Sequence, residues 1–240
     1  RLMKLAIMQP YLFPYIGYFQ LIKSVDIFIL YDDVNFRKQS WINRNKILLN
    51  GNEHFFTIPC KGISSYKKIN EVELHDLNAF KTDFFKLLEH SYATKSPFYK
   101  ETINLLNSIF DYKDFSTISE FNFISLVQIC KYLKIDTKIK LSSECVAETE
   151  QLKRENRIFA ICNHFKASSY VNAQGGESLY DKSEFIDNDI ELNFISPIES
   201  QINYKQVKSA PFIPWLSIID ILMNNSIQQS QSFLNSYQLN

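Results

Sequence analysis

The sequence predicts an α/β protein built on a mainly parallel, Rossmann-like sheet with flanking helices and a helical insertion. An apolar run, Leu5-Ala6-Ile7-Met8, is followed by a helical stripe and then by a second run, Asp26-Ile27-Phe28-Ile29-Leu30-Tyr31. Neither run alternates with polar residues, so both read as strands covered on two faces, the habit of parallel sheets. The segment between them suits a helical crossover, and such βαβ units are right-handed.

The remaining elements follow in order. Residues 9–14 carry Pro10 and Pro14 and read as a loop, with Pro14 suited to a first helical turn. Ile16, Phe19, Leu21 and Ile22 stripe a helix over 15–24. Asp32 and Asp33 end the second strand, where alternation sends their side chains to opposite faces. Two apolar segments, 46–49 and 54–58, flank the hairpin signal Asn50-Gly51. Residues 61–68 read as a loop, and Val72 with Leu74 as a short strand. Helical patterns over 79–92, 103–110 and 119–133, the last capped by Ser119, make an insertion of about 78–135. A strand over 137–141, a helix over 148–164, a strand from Ser169 into Gly175-Gly176, a strand over 190–195 and a helix over 215–222 complete the pattern. The polar tail, about 227–240, is expected to fray. No internal repeat is visible, and residues 1–240 read as one domain.

Composition narrows the function. The 240 residues hold 26 Lys+Arg and 26 Asp+Glu, so nucleic acid is not expected as the main ligand. Cys60, Cys130, Cys145 and Cys162 form no CxxC pair and read as free thiols in a reducing compartment. Arg1 and Leu2 read as residues ahead of a natural start at Met3. The apolar run after it meets Gln9-Pro10 too early for a signal-peptide core. No segment approaches the roughly 18 apolar residues of a membrane span, so a soluble, cytoplasmic protein is expected. With 5 Gly, the chain contains neither GxxxxGK[ST] nor GxGxxG. No metal motif is present either, since two adjacent Asp do not make a Mg²⁺ site.

Parallel sheets bind ligands beyond the carboxyl ends of their strands, which brings residues 9–11 and 32–37 to one edge. Asp32 or Asp33 is the catalytic candidate there, to orient or deprotonate an amine. Gln9, a polar amide closing a buried strand, needs a partner in protein or ligand. Arg37 and Arg44 suit bidentate phosphate binding. Tyr11, Tyr15 and Trp41 are candidate stacking groups, and Gly17, Asn43 and Asn45 complete the cluster. Gly175 and Gly176 use two scarce glycines beyond a later strand. Ser217 and Asp220 share one helical face. No Ser–His or Cys–His pair supports a covalent nucleophile.

These residues carry a resemblance. Gln9-Pro-x-x-x-Pro-Tyr-x-Gly17-Tyr-Phe, Asp26-x-Phe-x-x-Tyr-Asp-Asp33, Arg37-x-x-x-Trp41-x-Asn-Arg-Asn45 and Phe212-Ile-Pro-Trp-Leu-Ser217-Ile-Ile-Asp220 together resemble the WbqC-like proteins. The resemblance implies bacterial, cytoplasmic work in O-antigen or other surface-polysaccharide synthesis, beside other enzymes of that process. The activity assigned by analogy is amide formation on a nucleotide-linked deoxyamino sugar, with ATP or an acyl or aminoacyl donor as co-reactant. One alternative is a non-catalytic partner of a sugar-modifying or glycosyl transferase. A second is an adenylating or nucleotidyl-transferring enzyme; Tyr15-Ile16-Gly17-Tyr18 stands where nucleotidyltransferases carry His-x-Gly-His, but both His positions are Tyr here, so phosphate stabilisation by imidazole is absent.

Overall fold

The computed structural model describes residues 2–208 and 211–240; Arg1, Ser209 and Ala210 lie outside them. In chain order the elements begin with β1 (Lys4–Met8), α1 (Ile16–Lys23), β2 (Ile27–Leu30), β3 (Arg44–Leu49) and β4 (Asn52–Thr57). The inserted helices α2 (Leu77–Tyr92), α3 (Tyr99–Phe110) and α4 (Ile118–Tyr132) follow. Then come β5 (Lys138–Leu141), α5 (Ser142–Cys145), α6 (Glu155–His164), β6 (Ser169–Ala173), α7 (Lys182–Asp187) and β7 (Glu191–Pro197). The chain closes with α8 (Ile218–Asn224), α9 (Ile227–Phe233) and β8 (Tyr237–Leu239).

The sheet runs β5-β2-β1-β6-β7-β8, parallel throughout except for β8 on β7. β1 and β2 are neighbours as expected, with Leu5 against Ile27 through Met8 against Leu30. From β1 the chain winds outward through β2 to β5, then returns to the other side of β1 as β6 and β7. This is a doubly wound order whose reversal falls between β1 and β6.

Strand alternation feeds two cores. Ala6, Phe28, Leu30 and Val171 face the larger one, with Phe19 of α1, Phe121 of α4 and Leu222 of α8. Leu5, Ile7, Ile27, Ile29 and Tyr170 face the smaller one, with Ile161 of α6 and Phe185 of α7. Both faces are therefore covered, which is why the runs carry no polar alternation. The phenylalanines concentrate where the insertion meets the loop after β1. There Phe13 stacks on Phe84 at 6.2 Å, and Phe110 lies 5.0 Å from Phe121.

Several elements differ from expectation. The tail is ordered: Ser226 and Gln229 form a capping box on α9, Phe233 and Leu234 are buried, and β8 joins the sheet. Buried Gln20 donates to the carbonyls of Phe233 (2.8 Å) and Ser236 (3.0 Å), fixing the segment from inside. Two apolar anchors and one amide outweigh its polar composition. The helix expected from residue 215 starts at Ile218, because Trp215 stands at φ +64° and Ser217 is the cap. The helix expected over 148–164 starts at Glu155, after Arg154 at φ +50°. Thr117 rather than Ser119 caps α4, in a capping box with Glu120. Val72 and Leu74 form no strand; Leu74 makes an isolated bridge to Cys60. Among the described residues no helix is long and apolar enough to cross a membrane.

Candidate functional site

The C-terminal edge of the sheet collects the loops after all five parallel strands, and the loop after β1 organises it. Almost every carbonyl of that loop has a donor supplied from elsewhere in the fold. Tyr18 Oη of α1 donates to Gln9 O (2.6 Å) and buried Asn122 of α4 to Pro10 O (3.0 Å). Asn45 of β3 donates to Leu12 O (2.9 Å) and Phe13 O (3.1 Å), and Ser217 Oγ also donates to Phe13 O (2.6 Å). The amide of Ile218 completes the set on Pro14 O (2.9 Å). So clamped, the loop holds Phe13 at φ +40° inside the core. Buried backbone requires such partners, and side chains provide them where no ladder can.

This accounts for several sequence candidates. Asn45 and Ser217 clamp the loop, and Asn43 donates to Ile58 O (3.1 Å) to hold the hairpin base. Gln9 differs: its side-chain amide is half-buried at the strand end and makes no hydrogen bond with a described residue. Gly17 lies beneath the Tyr15 ring, so close that a Cβ would stand 2.3 Å from it. A Cβ on Gly176 would meet the Asn172 amide at 2.6 Å, whereas one on Gly175 would meet open space.

Between the clamped loop, the chain after β7 and the segment before α8 lie two adjoining chambers. The larger, about 360 Å³, is walled by Tyr15, Ile202, Tyr204, Phe212 and Trp215, with Glu199 the carboxylate among its lining residues. The smaller, about 140 Å³, lies among Tyr11, Tyr15, Trp41, Asn45, Lys46 and Trp215. Tyr15 and Trp215 belong to both, edge to face at 5.5 Å. Burial pushes the Tyr11 and Tyr15 hydroxyls up, and for Tyr11 the nearby Arg37 charge opposes it. Arg37 itself is exposed. Arg44 donates through Nη2 to Gln39 O (2.9 Å) and lies 5.1 Å over the Phe55 ring, leaving a buried Nε without a partner.

Asp220 sits behind the larger chamber, fully buried, accepting from Tyr92 Oη (2.8 Å) and Tyr204 Oη (2.7 Å). Burial raises its carboxyl above the ordinary range, while the two hydroxyls act the other way. Through Tyr204 it braces the chamber wall.

Asp32 and Asp33 lie farther along the edge and turn to the same side, toward the start of α5. The chain has left the strand after Leu30, so alternation no longer applies. Ser142 Oγ reaches Asp32 (3.0 Å) and Asp33 (2.6 Å), while Ser143 binds Asp32 through its amide (3.0 Å) and hydroxyl (2.5 Å). Arg157 of α6 makes a buried ion pair with Asp33 at 2.6 Å and lies 4.6 Å over the Tyr31 ring. No group of three or more His, Cys, Asp or Glu among the described residues could hold a metal ion.

Of the residues singled out in the sequence, Tyr11, Tyr15, Trp41 and Asn45 line the chambers; so does Lys46, which reads there as a solvated charge, while Glu199, Tyr204, Phe212 and Trp215 were not singled out as site residues. Trp215 did leave a signal, an indole beside Pro214 within the Phe212–Asp220 motif of the resemblance, in a segment read as helix. Asn122 and Arg157, inside helical patterns, left none.

A model of the WbqC-like protein family matches residues 9–232. The chain is similar to a Mycobacterium tuberculosis protein named Uncharacterized protein Rv1507c, 31% identical over 222 residues, which span 92% of this chain and 93% of that one. No solved structure matches the chain.

Proposed function

The chain belongs to the WbqC-like protein family, and from that premise we propose that it is an enzyme of bacterial surface-polysaccharide synthesis forming an amide on a nucleotide-linked amino sugar. The observation carrying this reading is the pair of aromatic chambers at the C-terminal edge of a doubly wound sheet, the place such sheets bind nucleotides and related ligands. Aromatic walls suit stacked rings, and the exposed Arg37 beside Tyr11 suits an anionic linker.

The transfer balances without a covalent enzyme intermediate. The sugar amine attacks the carbonyl carbon of an activated acyl donor, a thioester or acyl adenylate, and a C–N bond forms. The bond from that carbon to the donor's sulfur or phosphate oxygen breaks, and the leaving group departs with the electron pair. The nitrogen proton passes to the departing thiolate or, with an adenylate, to water. Asp32 and Asp33, already engaged by Ser142, Ser143 and Arg157, take a positioning part. The free amide of Gln9 is available to sugar or acyl donor.

The test is incubation with nucleotide-linked amino sugars, ATP, amino acids and acyl thioesters, followed by mass spectrometry of the sugar. A gain equal to the acyl group is expected. No gain with any donor, together with a stable complex with another polysaccharide-synthesis protein, would replace this reading with that of a binding partner.

A further inference from the structure

We infer that the smaller chamber, between Trp41 and Trp215, is the sugar-ring subsite, and that Trp215 partitions it from the nucleotide in the larger one. The assignment rests on the nucleotide-sugar reading above and deepens it. The chain has 20 Phe, 13 Tyr and 2 Trp, and both tryptophans line the smaller chamber. They are 37% and 42% exposed, while the fully buried aromatic side chains are Phe and Tyr. Tryptophan is usually well buried, and an indole face left open is a stacking surface.

Each indole is set in place. Trp41 stacks on Phe55 at 6.2 Å and 13°, with the Arg44 guanidinium over that second ring. Trp215 is held at φ +64°, a conformation bulky L-residues seldom adopt. Strained backbone persists where its surroundings impose it, and it clusters at ligand clamps. Here the surroundings are explicit: two residues on, Ser217 is tied through its amide to Lys46 O (2.9 Å) and through its hydroxyl to Phe13 O (2.6 Å). The strain therefore presents an indole to both chambers. Volume assigns the occupants. About 140 Å³ falls below the roughly 300–1,000 Å³ of a whole-ligand cleft and suits a single ring. The larger space, with Tyr204 and Phe212, takes the base and ribose.

Because both fluorophores border the subsite, intrinsic fluorescence reports on it. The experiment pairs tryptophan emission with calorimetry, using UDP-glucosamine, glucosamine and UDP as probes. UDP-glucosamine and, at higher concentration, glucosamine should change the emission of Trp41, which lines the smaller chamber alone, whereas UDP should release heat and reach only Trp215. Trp215→Gly, in which glycine accepts the positive φ, should keep the wild-type melting temperature. Its remaining indole, Trp41, should respond to UDP-glucosamine and glucosamine and not to UDP, and its affinity for UDP-glucosamine should fall at least tenfold. Trp41→Phe leaves Trp215 as sole fluorophore, and its emission should still respond. Heat from UDP-glucosamine with unchanged emission, or a response of Trp41 to UDP in Trp215→Gly, overturns the partition while leaving the nucleotide-sugar reading intact. No heat from UDP-glucosamine or UDP removes both.

Discussion

Replacing Arg157 with methionine tests whether the carboxylate pair after β2 serves the fold. Arg157 and Asp33 side chains are 4% and 3% exposed and meet at 2.6 Å, so neither charge has water to fall back on. Arg157→Met keeps most of the side-chain volume and leaves the Asp33 carboxylate with the Ser142 hydroxyl alone. Orphaning a buried charge in this way costs about 3–5 kcal/mol. For a chain of this size each kcal/mol lowers the melting temperature by about 2–4 °C, giving a fall of roughly 6–20 °C. Removing both charges in Arg157→Met/Asp33→Leu should be milder than the single change, since a buried pair often exchanges for apolar groups at little loss. Thermal unfolding followed by circular dichroism, with a double-mutant cycle, measures both. A fall under 2 °C for Arg157→Met would refute the argument. Asp33→Asn separates the roles: amide formation per folded molecule should stay within about threefold of wild type. A much larger specific loss at an unchanged melting temperature would place Asp33 at the substrate instead.

Gly17→Ala should displace the Tyr15 ring, because the new Cβ would stand 2.3 Å from it and Tyr15 walls both chambers. Affinity for UDP-glucosamine by calorimetry should fall about tenfold, near 1.4 kcal/mol; an unchanged affinity would contradict the close approach. Asp220 predicts a pH dependence. Its folded pKa is raised, so its stabilising contribution is complete below the unfolded value of about 3.9 and is lost as pH rises through the raised one. Asp220→Asn abolishes that titration, so wild-type stability minus variant stability should shrink as pH rises from 4 to 8. Urea unfolding across that range checks it, and a constant difference would count against the burial argument.

Much of the fold was legible because it is written in local periodicity. The unbroken apolar runs at 5–8 and 27–31 announced strands covered on both faces, and Asn50-Gly51 announced the hairpin turn, where both residues take positive φ. The β5-β2-β1-β6-β7 order was not legible, since strand neighbours depend on where long connections lead. The tail was misread because composition weighs every residue alike, whereas Phe233, Leu234 and the Gln20 amide decide its order. Asn45, Ser217 and Trp41 could be singled out as polar or aromatic residues in unusual company. The bonds of Asn45 and Ser217 to the loop carbonyls, however, connect residues 32 to 204 positions apart, and spacing along a chain carries no trace of them.

By itself, then, the sequence determined most of the strands and helices and that the sheet is mainly parallel. Tertiary structure alone decided that the asparagines and Ser217 bind a loop's carbonyls, that Asp33 faces Arg157, and that two indoles border one chamber. The reason is physical: burial patterns repeat every two or three to four residues, but the partner of a buried polar group is whatever donor the packed fold brings within about 3 Å.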